Sequence, residues 1–112
     1  MTAWRRVCAR RDVKPGEPFG AKLDGTPIGI FQVGDALHAV HDVCPHEYAL
    51  LSQGYQDGET IECPLHAATF NVVTGRCLGG PVTEAVAVFR VKVEGDDVLV
   101  APVDPKAADA VT

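Results

Sequence analysis

The sequence predicts an all-β chain, an antiparallel sandwich or partly open barrel, from three observations. Glycine and proline together supply 19 of the 112 residues, 11 and 8 respectively, so regular structure is cut into short pieces. Residues 86–94 alternate: Phe89, Val91 and Val93 fall on one face and Arg90, Lys92 and Glu94 on the other, the two-residue period of a half-buried strand. No stretch sustains a 3.6-residue apolar repeat bounded by helix caps.

The elements follow in order. Residues 4–8 form the first strand. Residues 19–23 and 27–33 form a hairpin through Asp24-Gly25, a pair that tolerates the positive φ angles of a tight turn. Gly34-Asp35 turns the chain into a strand at 36–41. The pattern then loosens, with short strands around 60–62 and 69–72 separated by loops. It returns at 86–94, and Gly95-Asp96-Asp97 turns into 98–100. The expected organisation is one domain, 1–112. A base built from 1–42 and 82–102 carries an insertion at about 43–81, and a tail, 103–112, has little to bury and frays. There is no internal repeat.

Composition narrows the function classes. At 11.9 kDa the chain has room for a modest core and little else. Its net charge of −5, with no basic stripe, speaks against a nucleic-acid partner. Arg5, Arg6, Arg10 and Arg11 near the start are not followed by an apolar run, so neither a signal peptide nor a membrane anchor is expected, and the cytoplasm is the expected compartment.

The chemistry lies in the insertion. Cys44-Pro45-His46 and Cys63-Pro64-Leu65-His66 each place one thiolate and one imidazole within a single turn of backbone. Two Cys and two His in that mixed order form the ligand set of a Rieske-type [2Fe–2S] centre, in which the Cys hold one iron and the His the other. One ligand of each type from each loop lets the loops embrace a cluster from opposite sides. Pro45 and Pro64 have a fixed φ and no N–H, which helps hold the loops in shape. Zinc also accepts Cys2His2, so a zinc-stabilised interaction module is the competing reading. Zinc modules, however, usually present a Cys pair followed by a His pair.

The remaining candidates have blander readings. Cys8 and Cys77 are expected to be buried small hydrophobes rather than disulfide partners. His38, His41 and Asp42 carry the residue types of a facial triad for mononuclear iron. Strand alternation sends His38 and His41 to opposite faces, which argues against a second metal site.

The segment 44–81 resembles the cluster-binding half of the Rieske ferredoxins that serve aromatic-ring-hydroxylating dioxygenases. The resemblance rests on Cys44-Pro45-His46, Leu51-Ser52-Gln53-Gly54, Ile61-Glu62-Cys63-Pro64-Leu65-His66, Phe70-Asn71, Thr74-Gly75 and Gly80-Pro81. Asn71 departs from the pattern, since such proteins more often carry Asp there. The resemblance implies a Rieske fold holding one [2Fe–2S] cluster on Cys44, His46, Cys63 and His66, with no catalytic residues. It implies an electron-transfer component rather than an enzyme. Electrons would pass from a flavin-containing ferredoxin reductase to a terminal oxygenase degrading an aromatic compound. Docking would occur at the His46/His66 edge, among Glu47, Tyr48, Leu65, Ala67 and Pro81, with Gly79-Gly80-Pro81 as a loop covering the cluster. A small Rieske-like subunit of a nitrite reductase is the related alternative, although such subunits often lack cluster ligands and this chain has all four.

The same resemblance speaks to redox potential. High-potential Rieske proteins carry a loop-linking disulfide at positions matching Ala49 and Leu65, and Ser and Tyr hydroxyls at positions matching Ala68 and Phe70. Donors to sulfur stabilise the reduced state, so their absence implies a potential low in the Rieske range, on the order of −150 mV.

Overall fold

The computed structural model describes residues 4–44, 49–64, 68–79 and 85–102. Ten strands run in chain order: β1 (Arg5–Ala9), β2 (Phe19–Leu23), β3 (Thr26–Val33), β4 (Ala36–His41), β5 (Tyr55–Asp57), β6 (Thr60–Glu62), β7 (Thr69–Asn71), β8 (Cys77–Gly79), β9 (Val88–Glu94) and β10 (Asp97–Pro102). Short 3-10 turns occupy Arg10–Asp12 and Leu51–Gln53. The all-β expectation holds.

Turn chemistry sets the strand order. Asp24 and Gly25 have φ of 51° and 86°, the two positive angles that a type I′ turn needs, and β2 and β3 pair across them. Gly34 and Gly95 each supply one positive φ at the first turn position, which joins β3 to β4 and β9 to β10. These hairpins assemble into a six-stranded antiparallel sheet in the order β1-β10-β9-β4-β3-β2. Its edges, β1 and β2, approach one another and curl it toward a barrel. A second sheet, β5-β6-β7-β8, is built entirely from residues 55–79.

Two apolar clusters account for the packing. One fills the curl of the large sheet with Leu23, Ile28, Ile30, Ala39, Val98 and Val100. The other joins the two sheets and contains Phe31 and Val40 from the large sheet, Ile61 and Phe70 from the small one, and Val72 just past β7. Strand β3 is therefore buried on both faces around residues 28–31. That burial explains why its sequence is a nearly continuous apolar run rather than an alternation.

The small sheet is also fastened by backbone. Val86 N–H donates to the Gly75 carbonyl at 2.8 Å. Gly75 has φ +81°, and a Cβ there would run into the Val86 carbonyl. Only glycine meets both demands.

Candidate metal centre

Cys44 and Cys63 occupy corresponding places in two loops of one design. In the first loop, Cys44 N–H donates to the Ala49 carbonyl at 2.9 Å. In the second, Cys63 N–H donates to the Ala68 carbonyl at 2.7 Å. Each Cys thus closes its loop onto the residue five positions on, and the residue before each Cys pairs with the one seven positions after itself: Val43 with Leu50, Glu62 with Thr69. Both Cys are buried, at 2% and 1% exposure, and both belong to the cluster that joins the sheets. Pro64, one residue past Cys63, is exposed. The second loop therefore runs from dry core to solvent within one residue.

The two loops stand on different supports. The second closes the β6–β7 hairpin, where three residue pairs lie in register: Thr60 with Asn71, Ile61 with Phe70, and Glu62 with Thr69. The first has one isolated bridge, Val43 with Leu50, plus a 2.7 Å bond from Leu51 N–H to the Asp42 carbonyl. Asp42 N–H also donates to the Pro27 carbonyl at 3.0 Å, and beyond these backbone bonds the support is a side chain. The Asp42 carboxylate accepts the Ser52 N–H at 2.7 Å on one oxygen and the Ser52 O–H at 2.6 Å on the other. Hydrogen bonds to a charged group are worth about 1.5–3 kcal/mol each. Asp42 is 1% exposed and is the one buried polar or charged residue among those described. Burial pushes its carboxyl above the usual range, and the two Ser52 donors pull it back.

Leu51-Ser52-Gln53-Gly54 now has a physical reading. Leu51 fills the joining cluster, and Ser52 fastens the loop. Gly54 lets the chain pass the backbone of β6, since a Cβ there would run into the Glu62 carbonyl. Asn71 caps the turn before β8: its Oδ1 accepts the N–H groups of Val73 and Thr74 at 2.8 and 3.1 Å. Its Nδ2 donates to Glu59 Oε1 at 3.1 Å, a bond that the aspartate more usual in such sequences could not make.

His38 and His41 lie on opposite faces of β4, opposite Phe31 and Ile28 respectively. Burial lowers the His38 pKa, partly offset by Glu59. Cys8 is buried in the large sheet's core, where burial pushes its thiol up to about 11, so it is inert as a nucleophile at neutral pH. Cys77 is only half-buried on β8, packed against the joining cluster, with Sγ 3.7 Å from the Gly79 carbonyl oxygen. His46 and His66 lie outside the described residues, as do Glu47, Tyr48, Leu65, Ala67, Gly80 and Pro81.

The structure thus brings Cys44 and Cys63 into one core. It adds two residues whose roles sequence reasoning missed, Asp42 and Ser52. Two shielded thiols at matched positions are soft donors suited to iron–sulfur or zinc ligation. Ala49, Ala68 and Phe70 line the same buried cluster, so no hydroxyl reaches the thiols from those positions.

Comparison with known proteins is consistent with this geometry. The family model of the Rieske [2Fe-2S] domain matches residues 3–91. The 3-phenylpropionate/cinnamic acid dioxygenase ferredoxin subunit of Shigella flexneri serotype 5b (strain 8401) is 41% identical over 96 residues, which cover 84% of this chain and 89% of that protein. A chain in the complex of reduced oxygenase and oxidized ferredoxin in carbazole 1,9a-dioxygenase is 41% identical with a TM-score of 0.81, covering 88% of this chain and 92% of that one. The Mycobacterium tuberculosis protein described as the small subunit of an NADH-dependent nitrite reductase is 29% identical with a TM-score of 0.78, covering 93% of this chain and 98% of that one. A match over residues 3–91, together with relatives of this identity and coverage, decides the family: the chain belongs to the Rieske [2Fe–2S] domain family.

Proposed function

We propose that this protein holds one [2Fe–2S] cluster on Cys44, His46, Cys63 and His66 and carries electrons, one at a time, to the terminal oxygenase of an aromatic-ring dioxygenase system. The observation that carries the reading is the pair of matched loops, each offering a buried thiol and each followed within three residues by a histidine. Bound there, the cluster accepts and releases a single electron. Cys44 and Cys63, both buried, would hold one iron, and His46 and His66 would hold the other. Residues 43–81 act as the cluster-binding part, and 1–42 with 82–102 as the base.

A flavin-containing reductase supplies the electron, and docking uses the His46/His66 edge with Glu47, Tyr48, Leu65, Ala67 and Pro81, beneath a Gly79-Gly80-Pro81 cover. Small transient interfaces suit such carriers. The described residues contain no helix long and apolar enough to cross a membrane, and the cytoplasm is the proposed compartment. The low potential expected for a chain without hydroxyl donors at residues 68 and 70 suits acceptance from a flavin.

Metal analysis and reconstitution test this. Purified protein should be red-brown with about two irons and two acid-labile sulfides per chain. It should restore turnover of a dioxygenase supplied with its reductase. Leu65→Asp should slow that turnover while leaving the absorption spectrum intact. Stoichiometric zinc without iron, after iron-replete expression, would overturn the cofactor. Electron delivery to a nitrite reductase alone would move the protein to the other branch of its structural relatives.

A further inference from the structure

We propose that Asp42 is a positioning residue for the first cluster-holding loop, acting through Ser52. The proposal rests on the reading of Cys44 and His46 as ligands. Its basis is the asymmetry between the loops. The second closes a three-pair ladder. The first returns to a chain that leaves β4 at His41 and enters a 3-10 turn at Leu51, so its pairing is confined to the Val43–Leu50 bridge and the two backbone bonds that flank it, Cys44 N–H to the Ala49 carbonyl and Leu51 N–H to the Asp42 carbonyl. In place of a ladder, both oxygens of one carboxylate hold both donors of Ser52. The clasp closes the root of the segment two residues before Cys44, so its geometry sets where that thiol and the following imidazole point.

The seat of the clasp supports a positioning role. Gly20 and Gly29 face one another across β2 and β3. Neither has a φ in the left-handed region, so backbone conformation does not require glycine at either place. Space does. A Cβ on Gly29 would come 2.7 Å from Asp42 Oδ1, and one on Gly20 would come 3.0 Å from Ser52 Oγ. Two side chains are missing from the large sheet where the carboxylate and hydroxyl sit. A buried carboxylate is costly unless its hydrogen bonds are met. Here they are met by a single residue on the far side of the loop, which fixes the loop's span.

Supporting partners of metal ligands typically contribute 10–100-fold to metal affinity. The test uses the full-length holoprotein in four variants: Asp42→Ala, Asp42→Asn, Ser52→Ala and Gly20→Ala. Thr60→Ala serves as a control, because it removes only an exposed turn bond in the second loop's hairpin, Oγ1 to the Asp57 carbonyl at 2.9 Å. Iron release to a chelator, the EPR line shape of the reduced cluster and the midpoint potential are measured beside the melting temperature. Asp42→Ala and Ser52→Ala should release iron roughly 10–100-fold faster, with altered EPR spectra. Asp42→Asn keeps an acceptor for the Ser52 N–H and a donor toward its hydroxyl, and should return release to within a few-fold of wild type. Gly20→Ala, remote in sequence from every ligand, should shift the spectrum in the same direction.

Should Asp42→Ala not fold, Ser52→Ala and Gly20→Ala decide the matter. If both melt early yet keep wild-type release, EPR and potential, the clasp supports only the fold and the proposal is wrong. An iron-loaded Cys44→Ala protein would instead overturn the ligand reading itself, and the positioning role with it.

Discussion

Loop 63–68 stands on a three-pair ladder, whereas loop 44–49 stands on one bridge with its flanking backbone bonds and on a buried carboxylate. The two are otherwise alike: equal in length, closed by the same backbone bond, each headed by a buried cysteine. A ladder is supported by backbone and tolerates side-chain change, because its hydrogen bonds need no particular residue. A clasp depends on two side chains and on the two glycines that make room for them. The first loop should therefore be the mutation-sensitive half of the site, and the second the half that folds without help.

The largest effect should come from the proposed ligands, and it also probes the asymmetry. Cys44→Ala and Cys63→Ala should each abolish the cluster, because alanine leaves an iron without a donor. Hydrogen exchange on the two metal-free proteins should then differ. Cys63→Ala should keep protection at Ile61 and Phe70, which the ladder holds. Cys44→Ala should lose protection at Leu51 and Ser52. Equal loss in both loops would mean that the cluster supports them equally.

Next in size is Gly54→Ala. The exit of the first loop crosses the root of the second at Gly54, where a Cβ would strike the Glu62 carbonyl. The obstacle is backbone and cannot rotate away, so a cost of about 3 kcal/mol is expected, read as a lower denaturant midpoint. Full stability in this variant would mean that the two loop roots move independently.

Much of this was legible beforehand. Hairpins announced by Asp24-Gly25, Gly34-Asp35 and Gly95-Asp96 appear where the sequence puts them, because two-residue turns dictate register locally. The large-sheet strands and residues 60–62 and 69–71 agree to within two or three residues. Strands β5 and β8 did not show. Tyr55–Asp57 and Cys77–Gly79 are three residues each at the edges of a small sheet, too short for a two-residue period to register. Asp42 was visible only as a third donor beside His38 and His41. Its true partner lies ten residues on, and no local pattern reports a contact of that kind. The shared Cys-Pro opening of the two loops, each with a His close behind, and the equal spacing from Cys44 to Ala49 and from Cys63 to Ala68 were the hints that the loops share a design.

Potential should respond more modestly, and from the second loop. Ala68 and Phe70 are fully buried in the apolar cluster that also holds Cys63, so a hydroxyl introduced at either place would have few partners other than the proposed cluster and its ligands. Phe70→Tyr and Ala68→Ser should each raise the midpoint by roughly 20–60 mV, the one-electron equivalent of a hydrogen bond worth about 0.5–1.5 kcal/mol. Protein-film voltammetry reads this directly. A wild-type midpoint above zero would contradict both the missing-donor argument and the proposed place between a flavin and an oxygenase.

The smallest effect concerns Asn71, at the far end of the ladder. Asn71→Asp would keep both acceptor bonds to Val73 and Thr74. It would lose the 3.1 Å bond to Glu59 and set two carboxylates against each other. The site is exposed and screened by water, so the loss at neutral pH should be about 1 kcal/mol or less. Repulsion from Glu59 raises the pKa of the introduced carboxyl while the two N–H donors lower it. The repulsive part of the penalty is present at neutral pH and fades as acidification protonates either carboxyl. High salt should shrink it as well. Melting curves of wild type and variant should therefore converge toward mildly acidic pH. A gap that stays constant with pH and salt would assign the whole effect to the lost amide bond, and none to charge.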